Sequence, residues 1–152
     1  MTRYLPLMVL TLMLAGVSPT AAHDHGTPAV EIVAASAPAM TGQDVQLVFL
    51  TLRNRANMAD RLVRAVSPVA SKVELRAAPS EDGQPKGVAG LTIGPGEQVV
   101  LTATGPHLEL TGLKRQLLEN QVFKLALEFE MSGRIVIDVL VGAPAAGAVH
   151  QH

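Results

Sequence analysis

The sequence predicts an all-β protein, an antiparallel sandwich of short strands, and three observations predict it. Apolar residues recur with period two: Val45, Leu47 and Phe49 share one face of an extended segment, and Val48, Leu50 and Leu52 share the other. No long stretch carries the 3.6-residue spacing of an amphipathic helix. Turn chemistry interrupts the chain at short intervals, at Asp82-Gly83, Gly94-Pro95-Gly96 and Gly105-Pro106. Short alternating segments joined by such turns bury one face against a second sheet.

Taken in order, residues 1–22 read as a secretory leader. Arg3 supplies the positive end, residues 5–15 the apolar stretch, and Thr20-Ala21-Ala22 the small-residue cleavage region. The apolar stretch is too short, and too soon broken by Gly16, Ser18 and Pro19, for a membrane span. Residues 23–29 form a histidine-bearing arm, residues 30–141 the folded domain, and residues 142–152 an Ala/Gly/His tail. Inside the domain, residues 30–35 read as the first strand and residues 45–52, apolar on both faces, as a central one. Residues 73–76 and 99–102 are shorter strands, residues 53–64 a polar loop with adjoining strand surface, and residues 113–118 a single helical turn. Residues 123–129 and 135–141 alternate most cleanly, and the Met131-Ser132-Gly133-Arg134 turn between them makes an antiparallel hairpin.

Composition narrows the function. The 152 residues carry a formal charge of −1, and loss of Arg3 with the leader takes this to −2. No basic footprint for nucleic acid and no polybasic membrane patch is present. The sequence contains no cysteine, which excludes disulfides, thiolate metal sites and cysteine-linked lipid processing. Beyond the leader the aromatic residues are Phe49, Phe123 and Phe129, so Val, Leu, Ile and Ala must build the core. No Ser/His/Asp set, paired acid arrangement or phosphate-binding glycine loop stands out. Met40, Met58 and Met131 are dispersed and read as packing or surface residues.

The histidines are distributed unevenly. Of five, four form His-x-His pairs, His23-Asp24-His25 directly after the leader and His150-Gln151-His152 at the end of the sequence. Only His107 lies within the body. Cleavage after Ala22 would place a free amine beside the His23 ring and two residues from the His25 ring, a compact nitrogen donor set of the kind Cu(II) favours.

Several stretches, in order and spacing, resemble the periplasmic copper chaperone family known as PCuAC, a small cupredoxin-like β-sandwich. They include Leu50-Thr51-Leu52-Arg53-Asn54, Ala59-Asp60-Arg61-Leu62-Val63, Lys72-Val73-Glu74-Leu75, Ile93-Gly94-Pro95-Gly96, Gly105-Pro106-His107 and Leu110-Thr111-Gly112-Leu113. The resemblance implies a Cu(I) site of two His and two Met. Here its positions read Arg76 for the first His, Gly87 for the first Met, His107 for the second His and Glu109 for the second Met. One of four ligands remains. Replacing thioether by carboxylate hardens the site, so Cu(II) is expected over Cu(I).

Two geometries use the terminal nitrogens. In a histidine brace, the amine and ring of His23 chelate copper and His107 completes a T-shaped set, with Glu109 as axial oxygen or outer partner. In a terminal chelate, the amine, two backbone amides and the His25 ring bind without help from the fold. His150 and His152 are weaker candidates.

The expected function is therefore a non-enzymatic, periplasmic or secreted copper carrier. It would deliver copper to an extracytoplasmic copper enzyme or its assembly factors, of the kind that mature cytochrome oxidase. The alternatives are an interaction module of the same fold without metal, or a copper-dependent oxidative enzyme.

Overall fold

The computed structural model describes residues 28–40, 42, 44–80, 83 and 86–142. Nine strands run through them: β1 (Val30–Ser36), β2 (Val45–Asn54), β3 (Asp60–Val66), β4 (Ala70–Arg76), β5 (Leu91–Ile93), β6 (Gln98–Val100), β7 (His107–Leu113), β8 (Val122–Phe129) and β9 (Gly133–Leu140). The strand pairs are antiparallel and lie in two sheets. One has the order β1-β2-β7-β4 with β6 also on β2; the other has the order β5-β3-β8-β9. The expected sandwich class is borne out.

Alternation decides what each sheet buries. On β2, Val48, Leu50 and Leu52 point inward, joined by Leu108 and Leu110 of β7. They meet Phe123, Leu125 and Leu127 of β8 and Ile135, Ile137 and Val139 of β9. Each fully buried aliphatic side chain contributes about 1.5–3 kcal/mol relative to exposure, so a mostly aliphatic core with two phenylalanines, Phe123 and Phe129, holds the sheets together. β2 is central, as expected, with partners on both edges. The β8–β9 hairpin closes at Gly133, whose φ of 70° suits a residue without Cβ.

Three segments differ from the sequence reading. Residues 113–118 form no helical turn; the segment bends, and Leu117 drops into the core at 3% exposure. The Gln121 side chain accepts hydrogen bonds from the Leu118 N–H and from Arg115, and Asn120 takes a φ of 64°. Six residues are too few to offset the cost of helix nucleation when their hydrogen-bonding groups find such partners. Residues 60–64, read only as the end of a polar loop with adjoining strand surface, open β3, whose period is masked by a bulge between Leu62 and Arg64. β7 begins at His107, in a stretch where Gly112 (φ 62°) interrupts the apolar alternation.

β1 and β9 run side by side, with Ala37 bridging Val141. The Val30 N–H donates to the Ser132 hydroxyl at the β8–β9 turn. The two ends of the described domain therefore lie at opposite ends of the sandwich. Among the described residues no helix is long and apolar enough to cross a membrane.

Candidate metal centre

β4 and β7 are adjacent, so sequence-distant residues face one another in register. Arg76 lies opposite His107, Leu75 opposite Leu108, and Glu74 opposite Glu109. Leu108 is fully buried, so His107 and Glu109 project from the opposite face of β7, away from the core. Gly87 bridges Arg76 from the other side, and a Cβ built there would meet the guanidinium at 3.7 Å. All four positions of the family motif thus converge on one spot.

What occupies that spot is a guanidinium. Arg76 Nη2 donates to Glu74 Oε2 at 3.1 Å and to Glu109 Oε1 at 3.0 Å. The three side chains keep 24%, 27% and 18% of their exposure, so the pairs are shielded beyond what an open surface gives. Arg76 Nε is the buried side-chain polar atom without a hydrogen-bond partner among the described residues. A hydrogen bond from Lys72 works against the cost of desolvation and, with the nearby charges of Arg76 and Lys72, holds the Glu74 carboxyl below its ordinary range. Glu109, a candidate metal oxygen in the sequence reading, is committed to Arg76.

His107 has the setting of a ligand. It is 5% exposed, and its Nδ1 lies 3.0 Å from the Gly105 carbonyl, which makes Nδ1 the protonated donor. In the neutral ring this leaves the lone pair on Nε2. Metal-binding imidazoles are oriented in this way, by a backbone carbonyl on the other ring nitrogen. No group of three or more His, Asp or Glu side chains able to hold a metal occurs among the described residues. One imidazole, a committed carboxylate, a guanidinium and a glycine do not fit a His₂Met₂ copper ion.

His23, His25, His150 and His152 lie outside the described residues, but their roots do not. Ser36 is level with Phe49, and continuing the β2–β7 register one step from Val48–Leu108 sets Phe49 beside His107. Val141, where the tail begins, bridges Ala37 next to that row. Val30 pairs with Asn54, and the Ala29 carbonyl accepts from Arg55 N–H beyond it, so the arm leaves from the far end. From Pro28 to the His107 row is roughly 23 Å along the strands and roughly 10 Å across them, about 25 Å in all.

That far end holds a second group of polar anchors. Asp60 Oδ1 accepts from the N–H groups of Arg61 (2.7 Å) and Met131 (2.9 Å), and Oδ2 from that of Ser132 (2.8 Å). Burial alone would raise the Asp60 pKa. Hydrogen bonds from the Ser132 side chain and these backbone groups outweigh it and hold the carboxyl below its ordinary value. Asn54, fully buried, donates to the carbonyls of Met58 (2.7 Å) and Ile93 (3.0 Å). Between them opens a groove of about 350 Å³ lined by Pro28, Asn54, Met58, Asp60, Met131 and Ser132 among others. Sequence reasoning did not bring Met58 and Met131 to one groove. The available signal was an apolar side chain inside each of two polar turns.

Comparison with known proteins identifies the kinship of this fold. A family model described as "Putative lipoprotein LpqE-like" matches residues 29–141. The chain belongs to the LpqE-like family. Among solved structures it is similar to the copper-bound PCuAC domain from PmoF2, with a TM-score of 0.67 and 22% identity over 76% of this chain and 94% of that one. The solution structure of CuI-DR1885 from Deinococcus radiodurans gives 0.61 and 23% over 73% and 78%. Apo-DR1885 from the same organism gives 0.59 and 21% over 93% and 96%. At these identities the likeness establishes the fold, and the resemblance read from the sequence is borne out at that level. No curated protein matches.

Proposed function

We propose that this LpqE-like protein is a copper carrier working outside the cytoplasm, a metallochaperone rather than an enzyme. In this reading residues 1–22 are removed, and Cu(II) is held by the new terminus through the His23 amine, backbone amides and the His25 ring. The ion is handed by ligand exchange to an extracytoplasmic copper enzyme or its assembly factors. The family name of a lipoprotein, and relatives of the same fold whose descriptions are copper-bound, support the setting and the metal.

The observation that carries the reading is the replacement of the family's metal position by the Arg76–Glu74–Glu109 ion pairs beside a ligand-set His107. Copper then requires donors from outside the sandwich, and the His-x-His pairs supply them. The terminal chelate is favoured over the brace by reach. Five residues from Pro28 to His23 span at most about 18 Å, against the roughly 25 Å to the His107 row, and would have to double back at Pro28. His107 is instead within range of the tail: eight residues from Gly142 to His150 extend up to about 28 Å, and three strand spacings of roughly 14 Å separate the tail's root from that ring.

The test is paramagnetic resonance of the secreted, correctly processed protein loaded with one equivalent of Cu(II). Nitrogen hyperfine structure is expected in the parent, and its pattern changes on His25→Ala or on adding one residue before His23. It is kept on His107→Ala. A spectrum unchanged by both terminal alterations overturns the arm as the site, and absence of a nitrogen-ligated signal in the parent overturns copper carriage.

A further inference from the structure

Where β3 turns into β4, the sandwich has an open side. β5 pairs only with Asp60, Arg61 and Leu62, so the rest of β3 has no strand on that flank, and β4 ends its own sheet. Between the two strands lies a notch of about 350 Å³, at the lower end of the range of ligand sites. Its floor is apolar, with Leu62, Ala65 and Leu108 buried, and the exposed Val63 and Val88 stand at its rim. A strap of residues 87–90 closes one end. Val88 N–H donates to the Leu75 carbonyl at 2.9 Å, and a Cβ built on Gly90 would meet the Leu62 carbonyl at 2.8 Å, so the strap is seated on both strands.

The edge of β4 decides what shape of occupant fits. Backbone groups of successive strand residues point alternately to one neighbour and the other. The Leu75 carbonyl points away from β7, toward Val88, and the Ala77 N–H points the same way, toward Lys86. Val73, two residues earlier, therefore turns its N–H and C=O to that edge, where neither finds a partner among the described residues. Residues 86–88 already lie along the edge as an antiparallel segment, with Gly87 opposite Arg76, and stop short of Val73. An unpaired strand edge recruits an extended chain through its main-chain groups. The Val73 side chain packs toward the core, while Lys72 and Glu74 point outward and pair with each other at 2.7 Å.

We propose that this edge binds an extended peptide segment of another protein by antiparallel strand addition at Val73. The central residue of the segment exchanges both main-chain hydrogen bonds with Val73 and sends an aliphatic side chain into the notch. Its neighbours face outward, a basic one opposite Glu74 and an acidic one opposite Lys72. A second copy of this chain offers that alternation in its own Lys72-Val73-Glu74, but its β4 does not fit. Two-fold pairing about Val73 would set Ser71 of the second copy opposite Leu75, the place Val88 already takes. A peptide whose paired stretch begins opposite Glu74 avoids the strap.

The experiment uses ¹⁵N-labelled protein and an acetylated, amidated pentapeptide, Ser-Lys-Val-Glu-Ser. Binding is followed by amide shifts, and hydrogen exchange of the Val73 N–H is compared with and without peptide. Two control peptides leave the protein untouched. One carries an N-methyl group on the valine, which removes the donor to the Val73 carbonyl; the other has serine in the valine's place, which leaves the notch empty. Each should weaken binding at least about fivefold, the first through a lost hydrogen bond and the second through lost apolar burial. Val73→Pro removes the edge donor and spares the β4–β7 ladder, since that N–H points away from β7. A thermal melt checks that this variant folds.

Shifts centred on β4, the end of β3 and residues 87–90 are expected, with slowed exchange at Val73 and weaker binding by the folded Val73→Pro variant. Absence of binding at millimolar peptide overturns the proposal. Unchanged Val73 exchange at saturation, or equal binding of the N-methylated peptide, overturns strand addition and makes the notch a site for an apolar group alone. A concentration-dependent dimer in sedimentation that Val73→Pro dissolves gives the edge to a second copy and overturns the peptide reading as well. Each of these outcomes leaves copper carriage standing, because that reading rests on other residues.

Discussion

Asp60→Asn isolates the polar anchor that ties β3 to the β8–β9 turn. The substitution keeps shape and removes charge. In the parent, three backbone N–H groups converge on one carboxylate, two on Oδ1 and one on Oδ2. The asparagine oxygen can keep two of them, but its amide then faces the third donor, the Ser132 N–H. An unsatisfied buried donor costs about 1–3 kcal/mol, and turning the two remaining bonds from charge-assisted to neutral costs about 0.5–1 kcal/mol each, about 2–5 kcal/mol in all before discount. The groove beside Asp60 admits water, so about 2–3 kcal/mol is the expected loss. For a domain of this size that corresponds to a fall in Tm of about 10 °C.

The pH dependence has a definite sign. The Asp60 pKa is lowered on folding, so its contribution is fully present above the ordinary value of 3.8 and is lost as pH falls through the lower folded value. Asparagine does not titrate there. Thermal melts of parent and variant should therefore differ fully from pH 5 upward and converge as the pH is taken below the ordinary carboxyl range. A gap that stays constant down the series would refute the assignment of the effect to the ionised carboxylate, and no gap at neutral pH would refute the anchor itself.

Other outcomes follow from the same geometry. Arg76→Met keeps the aliphatic stem and leaves Glu74 and Glu109 directly opposed, so the Tm loss should be larger at pH 7 than at pH 4, where carboxylates take up protons. An equal loss at both pH values would mean that the stem, not the charge, matters. Restoring the family donors by Arg76→His, Gly87→Met and Glu109→Met beside His107 should create a Cu(I) site that survives removal of both histidine termini, read by chelator competition. Leu125→Ala, at a fully buried position facing the opposite sheet, should cost about 2–5 kcal/mol in denaturant unfolding.

The sandwich was legible wherever alternation was uninterrupted. β2, β8 and β9 declare themselves because apolar residues alternate along them and Gly133 marks the turn. β3 and β7 were obscured by a bulge and by Gly112, which shift the apolar period without ending the pairing. The motif positions were legible through the family resemblance, but the ion pairs were not: that Arg76 neutralises Glu109 follows from the β4–β7 register, a long-range property. Distance from arm to His107 was hidden for the same reason. Contour length can be counted along a sequence; direction of travel depends on which strand pairs with which.

Register also explains why a change at one end of the domain would go with a change at the other. Arginine keeps its charge at any pH a protein meets, so a guanidinium at the Arg76 position bars a cation there whatever the conditions. The two carboxylates around it supply the compensating charge, and neither can be offered to a metal without stranding the guanidinium, whose Nε already lacks a partner. A copper protein built on this sheet has to place its ion where no fixed cation stands. At the Asn54–Asp60 end the anchoring side chains hold backbone groups and leave two thioethers facing solvent beside the root of the arm. Strand β2 separates the two places by most of its length, so a cation held at the Asn54–Asp60 end would be screened from Arg76 by distance as well as solvent.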